Sequence, residues 1–207
     1  MNLDRPKERA EPRPFTARDR LFRMVDVLVI GGGPAGLSAG LFTAKNDLGT
    51  LVLDTDKTWM HKAHLFNYLG IESMDGSEFI EQTRMQAAGF GATIETDVAV
   101  TEVTATDDGF EVEADERYEA DYLVLATGAK RDLAESLGCD FTDDGVVEVD
   151  VTMETSVPDA YATGAMVRVE EWQAIISAGD GAAAALNILS KEHGDHFHDF
   201  DTPADAA

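Results

Sequence analysis

A single α/β domain with a central parallel sheet is the fold class that this sequence predicts, and three stretches predict it. Val25, Val27, Leu28, Val29 and Ile30 form the short, near-continuous apolar run that a parallel strand buried on both faces requires. GGGPAG follows at once and opens a helical pattern over residues 34–44, after which a second strand at 50–53 ends in Asp54. Further on, residues 98–126 read as strand, Asp108-Gly109 turn, strand, short turn and strand, a three-stranded β-meander that closes in the buried run 122–126.

The turn after the first strand carries the chemistry. Gly31 suits a tight turn, Gly33 lets a pyrophosphate approach the backbone, and Gly36 lets the helix lie close to the sheet. Unpaired N–H groups and the positive dipole end of the helix then face the phosphates. Asp54, about 20 residues downstream, is placed to accept both hydroxyls of an adenosine ribose and to repel a 2′-phosphate. A Gly-rich turn in an ordinary α/β unit is the competing reading. The full order of strand, turn, helix, strand and acid favours a Rossmann-like dinucleotide site.

The remaining elements follow in order. Residues 55–76 form a polar- and glycine-bounded loop with many aromatics. Ser77 is the expected cap of a helix that stops near Gly89. Val98, Val100 and Val103 fall in the first strand of the meander, although their spacing does not alternate strictly. A connector through Lys130, Arg131, Leu137 and Cys139 leads to GVVEVD and TSVPDAYATGAM. The last helix is expected to start near Glu170 or Trp172, with Glu170 and Glu171 suiting its dipole. Residues 24–190 thus read as one domain, 1–23 as a disordered extension and 191–207 as a polar, frayed tail.

Composition excludes several functions. With 40 Asp plus Glu against 16 Lys plus Arg, the formal charge is -24, and such a surface repels nucleic acid. The acids are dispersed, as on proteins of a high-salt cytoplasm where salt screens self-repulsion. No apolar stretch approaches the roughly 18 residues of a membrane span, and the N-terminus is not a signal peptide, so a cytoplasmic location is expected without membrane contact. The one cysteine, Cys139, allows no internal disulfide, CxxC pair or cysteine-based metal site and reads as structural. His193, His196 and His198 interleave with acids, but a solvated tail explains them better than a metal. His61 and His64 are weaker candidates as proton donors. No nucleophile-elbow spacing supports a hydrolase.

Taken together, GGGPAG at 31–36, YLVLATGA at 122–129 and TSVPDAYATG at 155–164, followed by WQAIISAGDG at 172–181, resemble the FAD domain of the thioredoxin reductase-like pyridine nucleotide-disulfide oxidoreductases. The resemblance implies FAD as cofactor. It assigns the pyrophosphate to Gly31, Gly33, Pro34, Ala35 and Gly36, the ribose to Asp54 and the adenine to Val98 or a neighbour. Thr127 and Gly128 would close over the cofactor, and Asn67 would lie near the flavin. Gly164, Ala165, Gln173 and Ala174 would hold its ribityl and N1–O2 side. The chain departs from the family pattern in three places. Ala165 stands where the family has an aspartate, a loss of roughly 1.5–3 kcal/mol for one charged hydrogen bond. Trp172 stands where an arginine is frequent. The family's NAD(P) domain with its CxxC pair is replaced by a short connector over 129–140.

The expected function is therefore that of an FAD-dependent oxidoreductase related to thioredoxin reductase, exchanging electrons with a small-molecule or protein redox partner. The alternative is a non-catalytic FAD-binding or regulatory module. The apolar face of the last helix is expected in the core, with a homodimer contact as a further use.

Overall fold

The computed structural model describes residues 23–202. The expected N-terminal extension lies outside the described residues apart from Arg23, as do the last five residues of the tail. Strand β1 (Arg23–Ile30) leads through the glycine turn into α1 (Pro34–Lys45) and β2 (Thr50–Leu53). The loop beyond β2 holds a 3-10 turn, Trp59–Lys62, and a small antiparallel pair, β3 (His64–Leu65) and β4 (Met74–Asp75). Then come α2 (Gly76–Gly89), β5 (Thr93–Glu95), β6 (Glu102–Thr106), β7 (Gly109–Glu113) and β8 (Arg117–Leu125). Helix α3 (Asp132–Leu137), β9 (Ala160–Ala162), a 3-10 turn at Gly164–Val167 and α4 (Ala174–His193) complete the described chain.

The main sheet runs β5-β2-β1-β8-β7-β6, and β9 also pairs with β8. β5, β2, β1, β8 and β9 are mutually parallel, while β6, β7 and β8 form the predicted antiparallel meander. β8 serves both arms: its first residues pair with β7 and Leu123–Leu125 pair with β9. Alternation along the strands splits the core in two. Leu28, Ile30, Leu51, Leu53, Leu123 and Leu125 pack on the side of the meander and α3. Val27, Val29, Val52 and Val124 face Ala35, Ala39, Ala184 and Ile188 of α1 and α4.

Several elements differ from the sequence reading. β5 carries a single apolar residue, Ile94, too little periodic signal to find from sequence. Val98 and Val100 precede the first meander strand, which starts at Glu102. There the Val98 N–H donates to Asp54 O at 3.0 Å instead of joining a ladder. Asp75 caps α2, its carboxylate accepting from Ser77 N at 2.8 Å. Glu170 and Glu171 lie outside α4, whose first turn carries no acid. α4 runs to His193, and beyond it Lys45 reaches from α1 to Asp199 at 2.6 Å and Asp201 at 2.5 Å.

Small residues set the distance between α1, α4 and the sheet. A Cβ on Gly181 would lie 2.0 Å from Ala35 O, and one on Gly36 would lie 1.8 Å from Gly31 O. Both neighbours are backbone atoms, which cannot rotate away. Gly181→Ala is therefore expected to destabilise the fold by about 1–3 kcal/mol, a fall of several degrees in Tm. A thermal melt checks this, and an unchanged midpoint would mean that the α1–α4 contact is looser than described.

Candidate dinucleotide site

A cleft of about 690 Å³ lies at the carboxyl ends of β1, β2 and β8. This is where open parallel sheets place their ligands. Gly31, Gly33, Pro34 and Ala35 form its floor. Gly31 has φ +115°, and a Cβ there would strike Ala126 O at 2.2 Å, so the turn after β1 and the turn after β8 abut. The N-cap of α1 is Gly33 with Pro34 behind it, and no side chain caps the helix. α4 likewise starts from Gln173 without a side-chain cap, and its Ala174 and Ser177 line the same cleft. Two helix N-termini thus bring positive dipole ends and free amides to one space.

Asp54 is the wall at the β2 end. Its carboxylate is buried, and a Cβ on Gly32 would sit 2.3 Å from Asp54 Oδ2. Only glycine at position 32 leaves room for that acid beside the turn. Asp54 pairs with Arg84 of α2, whose guanidinium also donates to Asp56 at 2.6 Å. His61 extends the chain of contacts, 2.9 Å from Asp56 Oδ1 and 3.0 Å from Ser77 Oγ. Arg84 first, and His61 second, hold the Asp56 carboxyl below the ordinary carboxylate range. Asp56, His61 and Ser77 resemble a hydrolytic relay in composition. The Ser77 amide is already taken by Asp75 and the Gly76 amide by Ala63 O, so neither is available to hold an oxyanion. The trio instead fastens the loop after β2 to the start of α2.

The remaining predicted residues divide into two groups. Val98, Thr127, Gly128, Gly164, Ala165 and Ala174 line the cleft. Thr127 Oγ1 donates to Lys130 O at 2.6 Å, which fixes the turn after β8. Gly164 has φ +73°, and Ala165 is buried in the following 3-10 turn, where Arg131 donates to Ala165 O at 3.4 Å and Met166 O at 3.0 Å. Gly36, Asn67 and Gln173 are not in the lining. Gly36 packs on the Gly31 carbonyl, and Asn67 Nδ2 donates to Gln173 Oε1 at 2.8 Å on the exposed surface. That bond ties the loop at 66–70 to the start of α4.

Sequence reasoning missed Gly32, Thr58, Trp59, Ser177 and Arg84. The run of three glycines was a signal for Gly32. Arg84 gave none, because it meets Asp54 only when α2 folds back beside β2. Cys139 is buried, and burial pushes its thiol up, so it is a poor nucleophile. Among the described residues no three His, Cys, Asp or Glu side chains gather to hold a metal. No helix there is long and apolar enough to cross a membrane.

Residues 25–132 and 70–179 match the Pyridine nucleotide-disulphide oxidoreductase family. The chain belongs to that family. Thioredoxin reductase of Rickettsia bellii is 36% identical over 118 residues, which cover 50% of this chain and 35% of that protein. Thioredoxin reductase of Listeria monocytogenes is 30% identical over 115 residues, covering 52% and 35%. These matches thus span about a third of the length of the curated relatives. A solved thioredoxin reductase from Gloeobacter violaceus superposes with a TM-score of 0.78 at 20% identity, over 86% of this chain and 99% of that one, and so shares the fold.

The Asp54–Arg84 pair generates a stability prediction. Arg84→Met leaves the buried Asp54 carboxylate without its cation, a change expected to cost about 3 kcal/mol. Adding Asp54→Asn should recover much of that loss. Thermal melts of the two single variants and the double variant measure the coupling. Additive losses would show that the two groups do not depend on each other.

Proposed function

We propose that the chain binds FAD and acts as an FAD-dependent oxidoreductase related to thioredoxin reductase, without an NAD(P) domain inserted between its second and third motifs. One observation carries the reading: two uncapped helix N-termini open onto one cleft whose end wall is a buried carboxylate. The donor set suits a diphosphate, and the acid suits ribose hydroxyls while opposing the 2′-phosphate of NADP. Family membership supports the same cofactor.

When bound, FAD would supply the electron-transfer chemistry. The chain's residues do the rest. The backbone of Gly33 and Ala35 at the start of α1 would hold the pyrophosphate, and Asp54, kept in place by Arg84, would accept the adenosine ribose. Val98, anchored to the Asp54 carbonyl, would flank the adenine. Ala174 at the start of α4 would favour negative charge on the flavin ring, and Gly164 gives it room. Ala165 and Trp172 both belong to the flavin half of the site, and this favours a second reading in which a non-catalytic flavin module acts with a partner. The redox partner, a small molecule or a protein, the cytoplasmic location, the high-salt solvent suggested by the acidic surface and a homodimer stand as parts of the same proposal.

The decisive measurement is to incubate the protein with FAD in molar KCl, pass it through gel filtration, denature it and identify the released nucleotide. FAD is expected; NADP, or no nucleotide, would overturn the assignment. Gly33→Val should fold and lose the flavin. Its Cβ meets nothing closer than Thr58 Oγ1 at 3.5 Å, and φ −84° is ordinary for any residue, yet the side chain projects where the diphosphate approaches. Retention of FAD by this variant would move the site elsewhere.

Ala165→Asp is expected to tighten FAD, with a ceiling of roughly tenfold to a hundredfold from one charged hydrogen bond. Desolvation of the new carboxylate opposes part of that gain. Titration of the two apo-proteins with FAD measures the balance, and weaker binding by the variant would mean that the cofactor lies differently.

A further inference from the structure

We propose that Arg131 is a fixed positive charge behind the flavin half of the cleft, and that this charge biases the site toward the reduced form of its flavin. Five arginines fall among the described residues. Arg23, Arg84, Arg117 and Arg168 each pair with a carboxylate, as expected in a chain with 40 Asp plus Glu. Among the described residues Arg131 pairs with none. Its Nε donates to Met166 O at 3.0 Å, and Nη2 reaches Ala165 O at 3.4 Å and Arg168 O at 3.5 Å.

All three acceptors belong to one segment. It begins at the 3-10 turn Gly164–Val167, in which Gly164 and Ala165 line the cleft, and it runs on to Trp172, whose Nε1 also donates to Arg168 O at 3.0 Å. The Trp172 ring meets that of Trp59 at 5.4 Å, and both exposed indoles line the cleft. Arg131 itself is half-buried behind the lining, between Lys130 and Asp132, which line the cleft from exposed positions with opposite charges. Arg168 is matched by the buried carboxylate of Asp180. One guanidinium charge therefore remains at this wall. Glu170 and Glu171 are exposed to solvent, where molar salt cuts the reach of their charge to about 3 Å, while a half-buried cation is screened less.

A flavin ring that takes up two electrons from its redox partner and one proton from solvent gains a negative charge. A fixed cation nearby favours that charged form over the neutral one. Carbonyl acceptors orient the guanidinium without cancelling its charge, and arginine keeps its proton across the pH range of a folded protein. That flavin lies against this wall rests on the FAD reading above. The position of the charge does not.

The test is the midpoint potential of the FAD-loaded protein in molar KCl, read from flavin absorbance during dithionite titration beside a reference dye. Arg131→Gln keeps donors for the carbonyls and drops the charge. It is expected to lose about three- to tenfold of the preference for reduced flavin, a fall of about 15–30 mV for a two-electron couple. Arg131→Lys keeps the charge, so it should hold the wild-type potential at pH 7 and fall below it toward pH 11 as the lysine loses its proton. Thermal melts show whether each variant folds, and the lysine variant carries the test alone where Arg131→Gln does not fold or retain FAD. An unchanged potential in Arg131→Gln overturns the proposal, and so does a lysine variant that tracks the wild type up to pH 11. A wild-type chain that takes no FAD overturns both this proposal and the flavin reading, whereas FAD held at a potential indifferent to Arg131 overturns this proposal alone.

Discussion

The structure depends on how closely α1 can approach the sheet, and α4 can approach α1, on the same face of the sheet. Gly36 against the Gly31 carbonyl, and Gly181 against the Ala35 carbonyl, remove the side chains that would hold these backbones apart. With the helices drawn in, their N-termini fall at the same carboxyl edge of the sheet. Two partial positive charges that would otherwise lie on separate surfaces then share one cleft. The alanine-rich faces of Ala35, Ala39, Ala184 and Ala185 follow from the same constraint, because larger side chains would not fit the gap.

Electrostatics complete what packing begins. Asp54 is buried in an acidic protein, and its burial is tolerable because Arg84 reaches it from α2. The same guanidinium draws in Asp56, and Asp56 orients His61 toward Ser77. One cation therefore links the cleft wall to the loop that carries Trp59. At the other side, Arg131 and Arg168 hold the segment from Ala165 to Trp172 through carbonyl and carboxylate contacts. Arg84, Arg131 and Arg168 thus fasten the segments around the cleft, while Lys57 and Lys130 line it from exposed positions.

Between the turn after β8 and β9, residues 129–159 form α3 and short bridges, Phe141 with Val147 and Glu154 with Tyr161, that return the chain directly to the sheet. The cleft mouth is consequently flanked by two loops of this chain, and the tryptophans they carry face solvent.

The sequence by itself determined the α/β class, the glycine turn between β1 and α1, the acid at the end of β2 and the meander. Each of these is written in residues close together in the chain: an apolar run, a glycine spacing, a turn dipeptide. The capping of α2 by Asp75 and the start of α4 at Ala174 were less legible, because several neighbouring polar residues fit the same local role and only the backbone path chooses among them. Only the tertiary structure decided that Arg84 holds Asp54, that Gly32 makes room for it, that Asn67 and Gln173 bond each other outside the cleft, and that Trp59 meets Trp172. Each of those contacts joins segments far apart in sequence. Their partners are set by how α2 and the loop after β2 fold back on the sheet, and no local periodicity encodes that.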